Sequence, residues 1–271
     1  MKNILIIGAN GFTGRRILND LSVNPIYHVT GCSLRDDICP GKDYRFVRTD
    51  IRDENEVRKL FKECRPDIVI NTSALSVPDY CETHHAEAEA TNVTAVETIA
   101  HVCEQYGSRF IHLSTDFVFD GKSTRLYKEE DEAIPVNYYG VTKLKAEKII
   151  ASICSNYAIV RVVVVYGKAL PGQHGNILQL VANRLRNGET IRVVSDQWRT
   201  PTFVGDISVG VEKLMFHTAN GIYHICGSEC LTIAEIAYRV ADFLKLDRSL
   251  IEPVTTEEMK EVTPRPRFSG L

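Results

Sequence analysis

The segment that most constrains this chain comes near its start. The apolar run Ile4-Leu5-Ile6-Ile7 passes directly into Gly8-Ala9-Asn10-Gly11-Phe12-Thr13-Gly14, and a helical pattern follows to Leu21. A tight turn between a strand and a helix needs positive φ, which glycine adopts without strain. Missing side chains let main-chain amides approach a pyrophosphate, and the helix N-terminus adds a favourable dipole. Glycines alone also fit a purely structural turn. A strand before and a helix after them is the context that phosphate binding requires. The loop therefore predicts a dinucleotide site that includes Gly8, Asn10, Gly11, Phe12 and Gly14. The apolar run ends after four residues, too soon for a signal-peptide core. No segment approaches the roughly 20 apolar residues of a membrane span.

Beyond the loop, β-rich runs alternate with helical patterns. Strands are expected at Lys2–Ile7, Tyr27–Ser33, Phe46–Arg48, Ile68–Ile70, Phe110–Leu113 and Ile159–Val165. Helices are expected at Phe12–Leu21, Glu54–Glu63, Val93–Cys103 and Gly140–Ala151. Near-continuous β-branched runs such as Ile159–Val165 belong in a parallel sheet buried on both faces. The pattern predicts an α/β fold of the Rossmann type, a doubly wound parallel sheet, over residues 1–167. Residues 168–271 are less regular, with helices at Ile177–Asn187 and Thr232–Leu244 and strands at Ile191–Val194 and Gly221–Cys226. They predict a small C-terminal substrate-binding lobe, some of whose strands return to the main sheet.

Charge excludes some functions. Lys+Arg 32 against Asp+Glu 35 leaves −3, with no basic excess for nucleic acid. The eight cysteines contain no C-x-x-C pair, which predicts reduced thiols in a cytoplasmic protein. His84-His85 beside Cys81 lies in a polar stretch and reads as solvated, so no metal site is expected. A homodimer is open, since oligomeric state leaves no mark in the sequence.

The end of the second strand selects the cofactor. An acidic residue there binds the 2′-hydroxyl of NAD, whereas arginine accepts the 2′-phosphate of NADP. Here Ser33 and Arg35 close the strand, and Arg15 and Arg16 follow the glycine loop; together they favour NADP(H) over NAD(H). Asp36 and Asp37 argue the other way.

Of the eleven tyrosines, only Tyr139 has a lysine four residues on, and that spacing sets Lys143 one helical turn away. A phenol titrates near 10, and a neighbouring ammonium favours its phenolate, so the pair suits proton transfer to a substrate carbonyl. The lysine can also hold the nicotinamide ribose. Ser114-Thr115-Asp116 follows the fifth strand at the carboxyl edge of the sheet, and Thr115 is the expected hydroxyl partner of the same carbonyl. Such a hydroxyl can also simply cap the strand end.

These stretches resemble a known family. HLSTDFVFDG and NYYGVTKLKAEK between Phe110 and Lys148, INTSALSVPDYCE at Ile70–Glu82, SDQWRTPT at Ser195–Thr202 and the final RPRFSGL resemble the dTDP-4-dehydrorhamnose reductases, extended short-chain dehydrogenase/reductases. The resemblance implies reduction of the 4-keto group of a nucleotide-linked deoxysugar, with Thr115, Tyr139 and Lys143 as the catalytic triad. It implies Asp50, Ile51 and Ala74 along the cofactor, and Ser76, Asn176, Gln197 and Arg199 toward the nucleotide-sugar. Arg199 also suits a diphosphate because guanidinium forks onto phosphate oxygens; as an alternative it is an exposed loop residue. Trp198 serves equally as a stacking platform or as packing. Val162-Val163-Val164 departs from relatives that carry an aromatic over the sugar, and Arg16 replaces a glutamate that binds a bridging metal in some members. Relatives usually run on for another helix past the position of Leu271.

Three other functions suit the same fold. A dehydratase needs a second acid–base residue where Phe117 stands. An epimerase lacks that requirement. A cofactor-binding regulatory subunit, similar to the β subunit of methionine adenosyltransferase, also retains the Tyr–Lys pair.

Overall fold

The computed structural model describes residues 1–40, 43–173 and 175–271. Its strands are β1 Lys2–Ile7, β2 Tyr27–Ser33, β3 Arg45–Arg48, β4 Ile68–Asn71, β5 Arg109–Thr115, β6 Tyr157–Val162, β7 Val165–Tyr166, β8 Ile191–Val194, β9 Trp198–Arg199, β10 Thr202–Phe203, β11 Gly221–Ile225, β12 Leu231–Thr232 and β13 Ile251–Val254. The helices are α1 Phe12–Ser22, α2 Glu54–Cys64, α3 Pro78–Thr83, α4 His85–Glu89, α5 Ala95–Tyr106, α6 Tyr138–Ile153, α7 Ile177–Arg186, α8 Val204–Phe216, α9 Ile233–Leu244 and α10 Thr256–Met259. A π-turn, Ala90–Thr94, joins α4 to α5.

Seven strands form one parallel sheet in the order β3-β2-β1-β4-β5-β6-β11. This is the doubly wound Rossmann arrangement, and its order reverses between β1 and β4. Alternate side chains leave a strand on opposite faces. Ile4 and Ile6 thus enter a core with Ile17, Leu18 and Leu21 of α1 and Ile207 and Val211 of α8. Leu5 and Ile7 enter a second core with Phe61 of α2, Ile99 of α5 and Ala146 and Ile150 of α6. Parallel strands covered on both sides have no solvated face, which is why Ile4–Ile7 of β1 and Ile68–Ile70 of β4 read as unbroken apolar runs.

The chain does not leave the sheet for good after residue 168. α8 packs on the sheet beside α1, and β11 adds to its edge against β6. The lobe has its own core, in which Val181 and Leu185 of α7 meet Ala237 and Val240 of α9 over β8 and β13.

The sixth strand is shorter than its β-branched run predicts. Val164 has φ +35°, a left-handed conformation that a β-branched residue rarely adopts. The main chain there swings out of the sheet, and Val165-Tyr166 pair instead with Thr202-Phe203. Thr202 holds the corner, its hydroxyl donating to the Val163 carbonyl at 2.8 Å. All eight cysteines are unpaired, and among the described residues no helix is long and apolar enough to cross a membrane.

Candidate active site

The glycine loop lies at the carboxyl end of β1, beside the point where strand order reverses and where ligands of such sheets bind. Gly8 has φ +83°, and a Cβ there would stand 2.7 Å from the Ser73 nitrogen. A Cβ on Gly14 would come within 2.3 Å of the Gly8 carbonyl oxygen, so the first turn of α1 can close only on a bare backbone. No side chain caps α1 and no acidic residue occupies its first turn. The first amides of that helix therefore remain available to an outside acceptor, which fits a pyrophosphate.

Asn10 ties this loop to the segment after β2. Its amide donates to the carbonyls of Arg35 and Asp36 at 3.1 and 2.8 Å and accepts from Arg15 at 2.7 Å. Arg15 is buried, paired with Asp37 at 2.5 Å and bonded to the Tyr44 hydroxyl at 2.8 Å. Arg16 pairs with Asp20. Arg15 is thus committed inside the protein, where it neutralises Asp37, while Arg16 is held in a surface ion pair. Arg35 is exposed at the end of β2, next to the half-buried Ser33. Phe12 lies against Gly167, where a Cβ would meet the ring tip at 3.4 Å. Asp50 is bound to Arg52 at 2.6 Å, and Ile51 and Ala74 are half-buried. A side chain from the lobe also reaches the loop. Gln173 donates to the carbonyls of Asn10 and Gly11 at 3.0 and 3.1 Å.

α6 brings Tyr139 to the same edge. It begins at Tyr138, two residues before the expected start, because the Asn137 side chain caps it by accepting from the Gly140 N–H at 2.9 Å. The Tyr139 ring meets Phe117 edge-on at 5.9 Å. Burial and then the Asp116 carboxylate push its phenol above the ordinary range, while the Thr115 hydroxyl opposes them. Thr115 accepts from the Phe117 N–H at 3.2 Å and lies 3.1 Å from Asp116 Oδ1. The Ser114 hydroxyl instead turns under α6 to Glu147, at 2.5 Å, leaving Thr115 as the hydroxyl beside the phenol. Lys143 stands one turn from Tyr139 but is directed at the sheet. Its Nζ lies 2.9 Å from His112 Nε2 and 2.7 Å from the Leu113 carbonyl, fully buried. Burial pushes its pKa down to about 8. The amine expected to act on the phenol is thus bonded to the sheet below the tyrosine, and the phenol's shift is set first by burial and then by Asp116.

The family model for the RmlD substrate binding domain matches residues 1–271. The chain belongs to this family. Among its relatives, a probable low-salt glycan biosynthesis reductase from Haloferax volcanii is 30% identical over 98% of this chain and 88% of its own length. A methionine adenosyltransferase 2 subunit beta from Xenopus laevis is 32% identical over 98% of this chain and 78% of its own. A solved dTDP-4-dehydrorhamnose reductase from Bacillus anthracis, in complex with NADP, superposes with a TM-score of 0.88 at 27% identity, covering 100% of this chain and 90% of that one.

In this RmlD-family chain, three residues expected to face a nucleotide-sugar are occupied elsewhere. In the short strand β9 side chains alternate, so Trp198 turns outward, 36% exposed, and Arg199 turns in. Arg199 is neither an exposed loop residue nor open to a diphosphate. Its guanidinium bonds the Trp198 carbonyl at 2.8 Å and Gln197 Oε1 at 3.2 Å and stands 3.7 Å from Asp116. Gln197 is buried, donating to Glu261 at 2.7 Å. Asn176 caps α7, accepting from the Gln179 N–H and donating to the Gly167 carbonyl at 2.9 Å. Ser76 remains exposed, on the loop between β4 and α3.

Sequence reasoning missed several residues that shape the site. Asn92, inside the π-turn, holds Leu75 by its N–H and carbonyl at 2.7 and 3.0 Å and bonds Thr142 of α6 at 3.0 Å. The last residues, Ser269–Leu271, are buried against the site, with Ser269 donating to Asp116. Asn71 and His112 face each other across β4 and β5. A polar residue inside a strand buried on both faces was the signal for these two, since burial without a partner is costly.

Proposed function

We propose that this chain reduces the 4-keto group of a nucleotide-linked deoxysugar with NADPH. The observation that carries the reading is the convergence of Tyr139, Thr115 and the uncapped glycine-loop helix at one carboxyl edge, in a chain of the RmlD family. Tyr139 acts as the acid. Its raised pKa keeps the proton on the phenol at neutral pH until negative charge develops on the substrate oxygen. Thr115 steadies that same oxygen with its hydroxyl. A reduced nicotinamide, when bound along the glycine loop, supplies the hydride. Arg35, exposed at the end of β2 while Arg15 neutralises Asp37, supports NADPH as the preferred donor. The diphosphate ligand remains to be drawn from residues other than Arg199, and Ser76 and Thr115 are the expected residues left on the substrate side.

Similarity to a methionine adenosyltransferase subunit supports a second reading, a cofactor-binding regulatory subunit. One assay separates them. Loss of reduced-nicotinamide absorbance is followed with a panel of 4-keto nucleotide sugars, each with NADPH and with NADH. Turnover of at least one sugar, faster with NADPH, is expected. Cofactor binding without turnover across the panel removes the reductase reading and leaves the regulatory one.

A further inference from the structure

Beneath α6 a line of buried polar groups constrains where a proton sits. Asn71 and His112 are neighbours across β4 and β5, with no exposure to solvent. The Ser73 main-chain N–H and hydroxyl both reach Asn71 Oδ1, at 3.0 and 2.6 Å. A peptide N–H can only donate, so that edge of the amide is oxygen, and Nδ2 is the edge 3.1 Å from His112 Nδ1. An amide nitrogen donates and does not accept. His112 Nδ1 is therefore the bare acceptor of its ring, and the proton of the neutral imidazole lies on Nε2.

Nε2 is the atom 2.9 Å from Lys143 Nζ. An ammonium has three donors and no lone pair, so against Nε2–H it would set donor facing donor. A neutral amine accepts from Nε2–H and still donates to the Leu113 carbonyl at 2.7 Å. That assignment alone satisfies Ser73, Asn71, His112 and Lys143 together.

We infer that His112 is a positioning residue that favours the neutral amine of Lys143 in the cofactor-free protein, and that recruiting Lys143 to the cofactor from that state takes up one proton. The step is balanced: the hydrogen bond from Nε2–H to Nζ breaks, solvent supplies a proton, and Nζ becomes an ammonium able to donate to a ribose hydroxyl. The second half rests on the proposed cofactor-binding role of Lys143; the first does not. The surroundings agree. Burial lowers the pKa of Lys143 and, with the lysine beside it, that of His112. Of the titratable groups nearby, Glu147 on α6 acts on Lys143, while Asp116 after β5 and Cys81 on α3 act on Tyr139 one turn away. Glu147 favours a charged lysine but is engaged by Arg161 at 2.6 Å and by Ser114. Asp116 is engaged by Arg199 and Ser269.

The direct test is the pH titration of lysine side chains by NMR in the cofactor-free protein, with Lys143→Arg to assign its signal. Lys143 should lose its proton near pH 8, below the other lysines, whose ordinary value is about 10.4. His112→Gln sets an amide where Nε2 stands, and its carbonyl can turn to an ammonium. The Lys143 midpoint should then rise by about one pH unit or more, which loss of packing alone would not cause. A wild-type Lys143 that titrates with the other lysines, or a midpoint unmoved in a folded His112→Gln variant, overturns the role of His112. Calorimetry of NADP⁺ binding in buffers of different ionisation enthalpy at about pH 9, between the two values, should show uptake of close to one proton. Binding without uptake overturns the recruitment step. Neither measurement needs a sugar substrate, so both stand whether or not the reductase reading fails.

Discussion

Arg199 Nε lies 3.7 Å from Asp116 Oδ2, and neither side chain is more than 4% exposed. The pair joins the lobe strand β9 to the residue directly after Thr115, so the lobe reaches the carboxyl edge of the sheet through a buried charge and not through an open loop. Burial raises the Asp116 pKa, and Arg199 opposes that rise. Removing the arginine would leave a buried carboxylate without its cation. Arg199→Ala is therefore expected to lower unfolding free energy by about 3–5 kcal/mol, read from urea denaturation. Arg199→Lys keeps charge without the planar fork and should recover only part of the loss. A full-stability Arg199→Ala protein whose only defect is a raised KM would restore Arg199 to a diphosphate-binding role.

Tyr139→Phe removes the proton and keeps the ring that packs against Phe117. Turnover should fall roughly 10²–10⁴-fold, the usual worth of general acid catalysis, with cofactor affinity within a few-fold of wild type. Single-turnover kinetics and a cofactor titration measure the two separately. A variant of near-normal rate would show that the proton comes from another group.

Arg35→Ala is expected to weaken NADPH more than NADH, because only the former carries a 2′-phosphate for a guanidinium to hold. Dissociation constants for both cofactors, taken at one ionic strength, decide this. Equal weakening would mean that Arg35 does not contact the 2′-phosphate.

The buried lysine also makes stability depend on pH. Its folded pKa, about 8, lies below the ordinary 10.5, so between these values the unfolded chain binds more protons than the folded one. Stability relative to a Lys143→Met variant should therefore rise as pH increases through that window and level off at either end. Denaturation curves of the two proteins across the window would show it. A difference that does not vary with pH would mean that Lys143 titrates alike in both states.

Much of this protein was legible in one dimension because its signals are local. A glycine turn between a strand and a helix, apolar runs buried on both faces, and a tyrosine and lysine one turn apart need no knowledge of distant partners. They sufficed for the Rossmann sheet and for the placement of Gly8, Gly14 and Tyr139 at one edge. The direction of a side chain was a different matter. Whether Arg199 faces a ligand or the interior depends on the alternation within a two-residue strand and on Asp116, 83 positions earlier in the chain. Whether Lys143 reaches up to a cofactor or down to His112 depends on β4 and β5 pairing in a register that aligns Asn71 with His112. The return of β11 to the sheet and the burial of Ser269–Leu271 are likewise long-range packing outcomes, in which apolar surface and unpaired polar groups find partners that local sequence does not name.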